Sequence, residues 1–177
     1  MRQLQGRGPE PEIGDKIIGL DNHWDNVSPE GNALTNGAIG SIGTYSRMVQ
    51  DYPKTNRWLS TIPPTELMYT DFITDDGDTF EKIPIDYQCL LTGNPTLTPK
   101  QEALIAQHQK RIALSAYHNR AYWKDIPYHF NYGYAITCWK AQGSEYPYVL
   151  GYDCSWLKRK NKDEYIKYLY TLVTRAS

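Results

Sequence analysis

The fold prediction for this chain rests on the stretch GYAITCWKAQGSEY, residues 133–146. Its first part, as far as Cys138, is apolar, β-branched and aromatic, which predicts a buried strand. Polar side chains then surround a glycine, namely those of Lys140, Gln142 and Glu145. Because open α/β sheets bind ligands at the carboxyl ends of their strands, this pattern predicts a ligand site directly after the strand.

A second informative stretch lies at the end of the sequence. Arg175 follows the apolar and small-residue run LYTLVT, residues 169–174. Burial of a guanidinium costs free energy unless an anion compensates its charge. This position therefore predicts an anionic partner for Arg175.

Taken in order, these stretches resemble the last two motifs of superfamily 1 helicases. The similar residues are T-x-W-K-A-Q-G-S-E from Thr137, the apolar segment 148–153, and Y-T-x-x-T-R-A from Tyr170. The chain looks most like the RecD/Dda-like branch of phages and bacteria, with a UvrD-like helicase C-terminal domain. The resemblance covers the last quarter of the chain well and the N-terminal part more loosely.

The resemblance implies an α+β and α/β fold, in which a small SH3-like β-barrel is joined to part of a RecA-like parallel α/β motor domain. The expected division is a lead-in at 1–12, the barrel insertion at 13–92, a helix and connection at 93–130, and a partial second motor domain at 131–177. The motor part is expected to hold parallel strands near 133–138 and 148–153 and a helix near 162–175.

Short strands without helices support a barrel independently of the resemblance. The predicted strands are residues 17–20, 38–45, 69–74, 79–85 and 87–91. The glycines of the second strand predict close backbone approaches. The turn Asp75-Asp76-Gly77-Asp78 predicts a hairpin, and it lacks the spacing of a calcium loop. Residues 46–66 are predicted to be a long loop.

Two helix starts carry capping signals. Thr98 and Gln101 form a capping box around Pro99, which predicts a helix to about residue 117. Asn161 and Glu164 have the same spacing and predict the start of the last helix.

The composition is not basic, because 19 Lys and Arg residues are balanced by 20 Asp and Glu residues, which gives a net charge of -1. The overall charge therefore does not predict nucleic-acid binding. The three cysteines lack CxxC spacing and predict reduced thiols. No stretch is long or apolar enough to span a membrane, and the expected location is cytoplasmic.

A phosphate loop is missing from the sequence, because none of the 13 glycines is followed by lysine. In the family this loop belongs to the first motor domain, which would hold ATP with Mg²⁺. We therefore expect the sequence to be a piece cut from a longer helicase, inactive alone, with single-stranded DNA and the missing N-terminal motor domain as its partners.

The resemblance also implies roles for individual residues. Thr137 and Lys140 would face the phosphates of the single strand, where a hydroxyl and an ammonium bind without reading sequence. Gln142, Gly143 and Glu145 would lie toward the nucleotide, with Glu145 near the ribose hydroxyls.

Two further positions complete the set. Arg175 matches the arginine that reaches the γ-phosphate and stabilises charge on the transferring phosphoryl group. Trp139 stands where relatives usually have His, and its ring either stacks on a DNA base or packs internally.

Ordinary roles also fit each residue taken singly. Lys140 can be a solvated charge, Arg175 a helix-end cation, and Lys158 to Lys162 a solvated face rather than a DNA track. The alternative for the whole chain is a non-catalytic β-barrel module that binds nucleic acid or protein.

Overall fold

The computed structural model describes residues 6–52, 57, 59–114, 125–141, 148–152 and 154–175. The chain divides into two compact units, Met1–Tyr134 and Ala135–Ser177. The four-part division expected from the sequence stays a prediction.

Antiparallel strands dominate the first unit. Its described strands are β1 (Lys16–Gly19), β2 (His23–Val27), β3 (Ala33–Leu34), β4 (Ile39–Gln50), β5 (Thr65–Thr74), β6 (Thr79–Asp86) and β7 (Phe130–Tyr132). Five of them form one sheet in the order β6-β5-β4-β1-β7, while β2 and β3 form a separate pair. The sheet is open in the described residues, so the predicted closed barrel is not seen.

The core of this sheet draws on residues far apart in the chain. Phe72 on β5 packs edge-to-face on Phe130 of β7, with ring centroids 5.0 Å apart. Ile17 and Ile42 are buried in the same cluster. Burial of such side chains contributes about 1.5–3 kcal/mol each. The sheet core therefore needs a strand outside the expected 13–92 segment.

Two glycines let β4 approach β5 closely, as the sequence predicts. A Cβ atom on Gly40 would overlap the carbonyl of Ile73, and one on Gly43 would lie 2.9 Å from the carbonyl oxygen of Asp71. The predicted hairpin is also confirmed, because Asp75 to Asp78 join β5 to β6.

The prediction of a strand at 87–91 is wrong, because these residues form the short helix α1 (Tyr87–Thr92). Asp86 caps its start by accepting a hydrogen bond from the Cys89 N–H at 3.1 Å. Gly93, at φ 76°, ends it in the left-handed conformation. The predicted loop at 46–66 is also wrong at both ends, since β4 continues to Gln50 and β5 begins at Thr65.

The capping box at Thr98 is confirmed at the start of helix α2 (Pro99–Leu114). The Thr98 N–H donates to the Gln101 side chain at 2.8 Å, and the Gln101 N–H donates to the Thr98 hydroxyl at 3.4 Å. The predicted last turn, residues 115–117, lies outside the described residues.

The second unit holds helices α3 (Ser155–Lys160) and α4 (Lys162–Val173), and α4 confirms the predicted last helix. The side chain of Asn161 accepts from the Glu164 N–H at 3.2 Å. The reverse bond of a capping box is replaced, because the Asn161 N–H donates to the carbonyl of Leu157 at 2.7 Å.

The predicted parallel strands of the second unit are wrong in the described residues. The apolar run 133–138 contains no strand, because β7 ends at Tyr132 after pairing with β1 of the first unit. Residues 148–152 are not a strand either, and Tyr148 and Leu150 are 92% and 94% exposed. An apolar run forms a buried strand only where a neighbouring strand satisfies its main chain.

Candidate functional site

The residues predicted to contact DNA lie on one turn, Thr137 to Ala141. The Ala141 N–H donates to the Thr137 carbonyl at 3.1 Å, and the Lys140 N–H donates to the Thr137 hydroxyl at 3.3 Å. The Thr137 hydroxyl therefore accepts within the turn and keeps its proton for another acceptor. Thr137 is exposed, while Ala141 anchors the turn by burial.

Cys138 connects this turn to helix α4. Its thiol donates to the main-chain carbonyl of Tyr168, with 3.6 Å between sulfur and oxygen. Burial raises the pKa of the Cys138 thiol, and the positive charge of Arg175 partly offsets that rise. The charge of Arg175 thus acts on Cys138, which lies in the turn of the same unit.

Arg175 directly follows the residue that caps the end of α4. Its N–H donates to the Leu172 carbonyl at 3.3 Å, and its Nη2 donates to the Thr174 hydroxyl at 3.3 Å. The side chain is partly buried. A cation at a helix C-terminus interacts favourably with the helix dipole, so the helix-end role foreseen from the sequence is available here.

Trp139 and Lys140 occupy the outer part of the turn. The Trp139 side chain is 52% exposed, and Lys140 is partly exposed. Half of the indole surface is therefore accessible and half is packed, so both roles foreseen for Trp139 remain open.

The segment 148–152 packs on α4 as well. The Tyr168 hydroxyl donates to the Tyr152 carbonyl at 2.6 Å. A Cβ atom on Gly151 would overlap the Leu172 side chain. Tyr168 therefore supports two segments that precede α3. Its main-chain carbonyl accepts from Cys138 in the turn, and its hydroxyl donates to the segment 148–152.

Three of these supporting residues were missed from the sequence: Cys138, Gly151 and Tyr168. A glycine inside an apolar run signals a close backbone approach, and this rule could have identified Gly151. Cys138 and Tyr168 interact over 30 positions through a main-chain carbonyl, which leaves no local sequence signal.

The remaining predicted site residues cannot be compared with this geometry. Gln142, Gly143 and Glu145 lie outside the described residues, and their nucleotide-binding roles stay predictions.

Sequence similarity covers the same unit. Residues 132–177 match the family model of the UvrD-like helicase C-terminal domain. The match includes the Thr137 turn, both helices and Arg175, and it indicates a helicase-related function for this part of the chain. No curated protein matches the sequence. The first unit lies outside the UvrD-like match except for its last three residues, Tyr132 to Tyr134.

A metal site is absent from the described residues, where no group of three or more His, Cys, Asp or Glu side chains could hold an ion. Lys158, Arg159 and Lys160, in the last turn of α3, are all exposed to solvent. Within the described ranges, no helix is long and apolar enough to cross a membrane.

Proposed function

We propose that this chain is the C-terminal part of an ATP-dependent DNA helicase of the RecD/Dda-like branch, which translocates on single-stranded DNA. The observation that carries the proposal is the coincidence of the UvrD-like match at 132–177 with the unit that joins the Thr137 turn to Arg175. The match indicates a helicase-related function, and the finer assignment is supported by the effect of the Arg175 charge on Cys138 in the same unit.

On the DNA side, Thr137 and Lys140 bind phosphates of the single strand, and such contacts read no sequence. Trp139 stacks on a base with the accessible half of its ring. Support comes from the exposure of Thr137 and Trp139 on one turn. With a net charge of -1, the chain binds DNA weakly and through few ionic contacts.

On the nucleotide side, Mg²⁺ and the phosphates of ATP are held by the missing motor domain, since this sequence has no phosphate loop. When bound, ATP supplies the phosphoryl group that is transferred to water. Arg175 suits an anionic phosphoryl group, because its guanidinium is positively charged and can contact two phosphate oxygens at once. Gln142, Gly143 and Glu145 orient the nucleotide.

The first unit would be the SH3-like barrel inserted in the second motor domain. The segment around β7 supports this role, because Tyr128 pairs with Ile85 at the end of β6 and Phe130 pairs with Gly19 on β1. The segment from Tyr128 to Phe130 thus contacts β6 at one end of the strand order and β1 near the other end. The same pairing would occur in a nearly closed barrel.

The proposal is tested on the purified 177-residue chain with a fluorescent oligonucleotide. We expect no ATP turnover and weak binding to single-stranded DNA that falls with salt. The Lys140→Ala variant should bind less tightly and reduce the slope of log K against log salt by about 0.7, the value for one phosphate contact. Lys158→Ala, on the exposed end of α3, is the matched control and should change neither quantity.

Two results would contradict the proposal. ATP turnover that persists through further purification would show that this chain does not need another domain for its phosphate site. Equal effects of Lys140→Ala and Lys158→Ala would remove the Thr137 turn from the DNA contact.

A further inference from the structure

The second unit holds two of the three cysteines of the chain, Cys138 and Cys154. Cys138 lies in the Thr137 turn, and Cys154 directly precedes α3. Both thiols are free and partly exposed. Neither has a part in the proposed helicase chemistry, so a reaction between them would be a separate property of this unit.

The segments that carry the two cysteines meet helix α4 at the same turn. The Cys138 thiol donates to the Tyr168 carbonyl at 3.6 Å, and within an α-helix this carbonyl also accepts from the N–H of Leu172. A Cβ atom on Gly151 would overlap the side chain of that same Leu172. Cys154 follows Gly151 by three positions, so it lies at most about 11 Å along the chain from this contact.

The two thiols also interact electrostatically. Burial raises the pKa of the Cys138 thiol, and a negative charge on Cys154 raises it further, whereas the charge of Arg175 lowers it. Because charges at a protein surface act only over short distances, this effect agrees with the shared contact at Leu172. The Cys154 side chain forms no capping hydrogen bond at the start of α3, so it loses none there when it turns toward another partner.

We propose that Cys138 and Cys154 form a reversible disulfide by exchange with a small-molecule disulfide such as oxidised glutathione. The Cys154 thiolate attacks one glutathione sulfur, forms a mixed disulfide and releases the first glutathione as a thiolate. Cys138 then gives up its proton and attacks the Cys154 sulfur, which releases the second glutathione. Two protein thiols are oxidised, and one glutathione disulfide is reduced to two thiols.

The order of the two attacks follows from the surroundings of Cys138. The thiolate is the nucleophile in disulfide exchange. The proton of Cys138 is held by the hydrogen bond to the Tyr168 carbonyl, and the raised pKa of this thiol has the same effect. Cys154 is therefore the first nucleophile, and Cys138 is the thiol that resolves the mixed disulfide.

The disulfide and the hydrogen bond of Cys138 exclude each other. A disulfide sulfur has no proton to donate, so oxidation removes the bond to the Tyr168 carbonyl. The Thr137 turn is then joined covalently to the start of α3 and no longer hydrogen-bonded to α4. Because disulfides in a reducing environment are transient, the pair would respond to the redox state of the glutathione pool.

Incubation of the 177-residue chain with oxidised glutathione tests the pair. After alkylation, non-reducing peptide mapping should show a link between Cys138 and Cys154 within a monomer, while the fully buried Cys89 stays a free thiol. Cys138→Ser should accumulate the glutathione adduct at Cys154, because the resolving thiol is missing. Cys154→Ser should leave Cys138 largely unmodified, because the first nucleophile is missing. Dithiothreitol should restore the free thiols in every case.

A thiol moved by one position provides the matched control. The double variant Cys154→Ser with Ser155→Cys carries its thiol at the exposed first residue of α3. This thiol should take up glutathione but form far less of the link to Cys138, because a disulfide requires a specific separation and direction of the two side chains. Melting curves establish that each variant is folded.

The proposal is overturned if Cys138→Ser carries no glutathione at Cys154, or if the thiol at position 155 links to Cys138 as readily as the native one. A link between two chains, seen as a dimer on a non-reducing gel, would also overturn it. These measurements detect thiols alone, so none of them depends on helicase activity or DNA binding.

Discussion

The thiol of Cys138 donates a hydrogen bond to the main-chain carbonyl of Tyr168, 3.6 Å away. This bond joins the turn that carries Thr137 and Lys140 to the helix that precedes Arg175. The two motifs, separated by more than 30 positions in the sequence, therefore share one support. A displacement of α4 would therefore move both of them.

The role of Arg175 predicts a large effect on ATP turnover. In a protein that joins this chain to its phosphate-loop domain, Arg175→Ala should lower steady-state turnover by about 10³-fold, the scale of arginine fingers. Arg175→Lys should recover little, because lysine has the charge without the planar fork. Binding to single-stranded DNA should stay nearly unchanged. Arg159→Ala, at an exposed position on α3, is the control and should leave turnover unchanged. Near-normal turnover in Arg175→Ala would show that Arg175 is only a helix-end cation.

Base stacking by Trp139 predicts a selective loss of DNA affinity. Trp139→Ala should weaken single-strand binding by about 1–3 kcal/mol, and Trp139→Phe should retain most of the affinity. Trp156→Ala is a closely matched control, because both side chains are 52% exposed. Fluorescence anisotropy measures affinity and a melting curve measures stability. A lower melting temperature with unchanged affinity would show that Trp139 packs internally.

His129 predicts a loss of stability at alkaline pH. Its Nδ1 bonds to Asp21 and its Nε2 lies 3.0 Å from Glu102 on α2. The Glu102 carboxylate contributes most to raising the pKa of His129 from 6.5 to about 9, Asp21 adds to it, and burial opposes it. Because this folded-state pKa exceeds the unfolded one, the stabilisation is complete below pH 6.5 and is lost as pH rises through about 9.

The free energy of unfolding, measured with denaturant, should therefore fall between pH 7 and 9.5 by up to roughly 1.4 kcal/mol per pH unit. Burial lowers the pKa of nearby His23, which lies beside Asp21 and Asp25, from its usual 6.5. His23 therefore changes its charge below the pH range of this measurement. His129→Gln should flatten the slope, while His108→Gln should keep it. An unchanged slope in His129→Gln would exclude His129 as the cause.

The buried Asp15 predicts a large loss of stability on substitution. Its carboxylate is fully buried and accepts hydrogen bonds from Arg7 Nη1, the Glu12 N–H and the Tyr134 hydroxyl. Asp15→Ala should lower the free energy of unfolding by about 2–4 kcal/mol, and Tyr134→Phe by about 1–2 kcal/mol.

An exposed ion pair provides the control for Asp15. Asp75 is 51% exposed where it meets Lys16, and Asp75→Ala should cost less than about 1 kcal/mol. Equal effects of Asp15→Ala and Asp75→Ala in urea unfolding would contradict the anchoring role of Asp15.

Local signals predicted several elements correctly. The helix starts at Thr98 and Asn161 and the hairpin at Asp75 to Asp78 depend on side chains within three or four positions of each other. Such interactions depend only on short stretches of sequence, so local patterns predict them. The strand predicted at 87–91 is wrong because the cap at Asp86 and the left-handed Gly93 outweigh its strand-like composition.

The sequence by itself determined the order of the two motifs and the family resemblance of the last quarter, because these depend only on residue type and spacing. It also determined that close backbone approaches occur at Gly40 and Gly43, where a missing Cβ is a local property, although it did not identify β5 as the partner. Only the tertiary structure decided that the strand ends before the run 133–138, since Phe130 to Tyr132 pair with β1 more than 110 positions earlier. The same is true of the contact between Cys138 and Tyr168. Pairing across such distances depends on which partners the whole chain brings together, and hydrophobic pattern alone does not identify a partner.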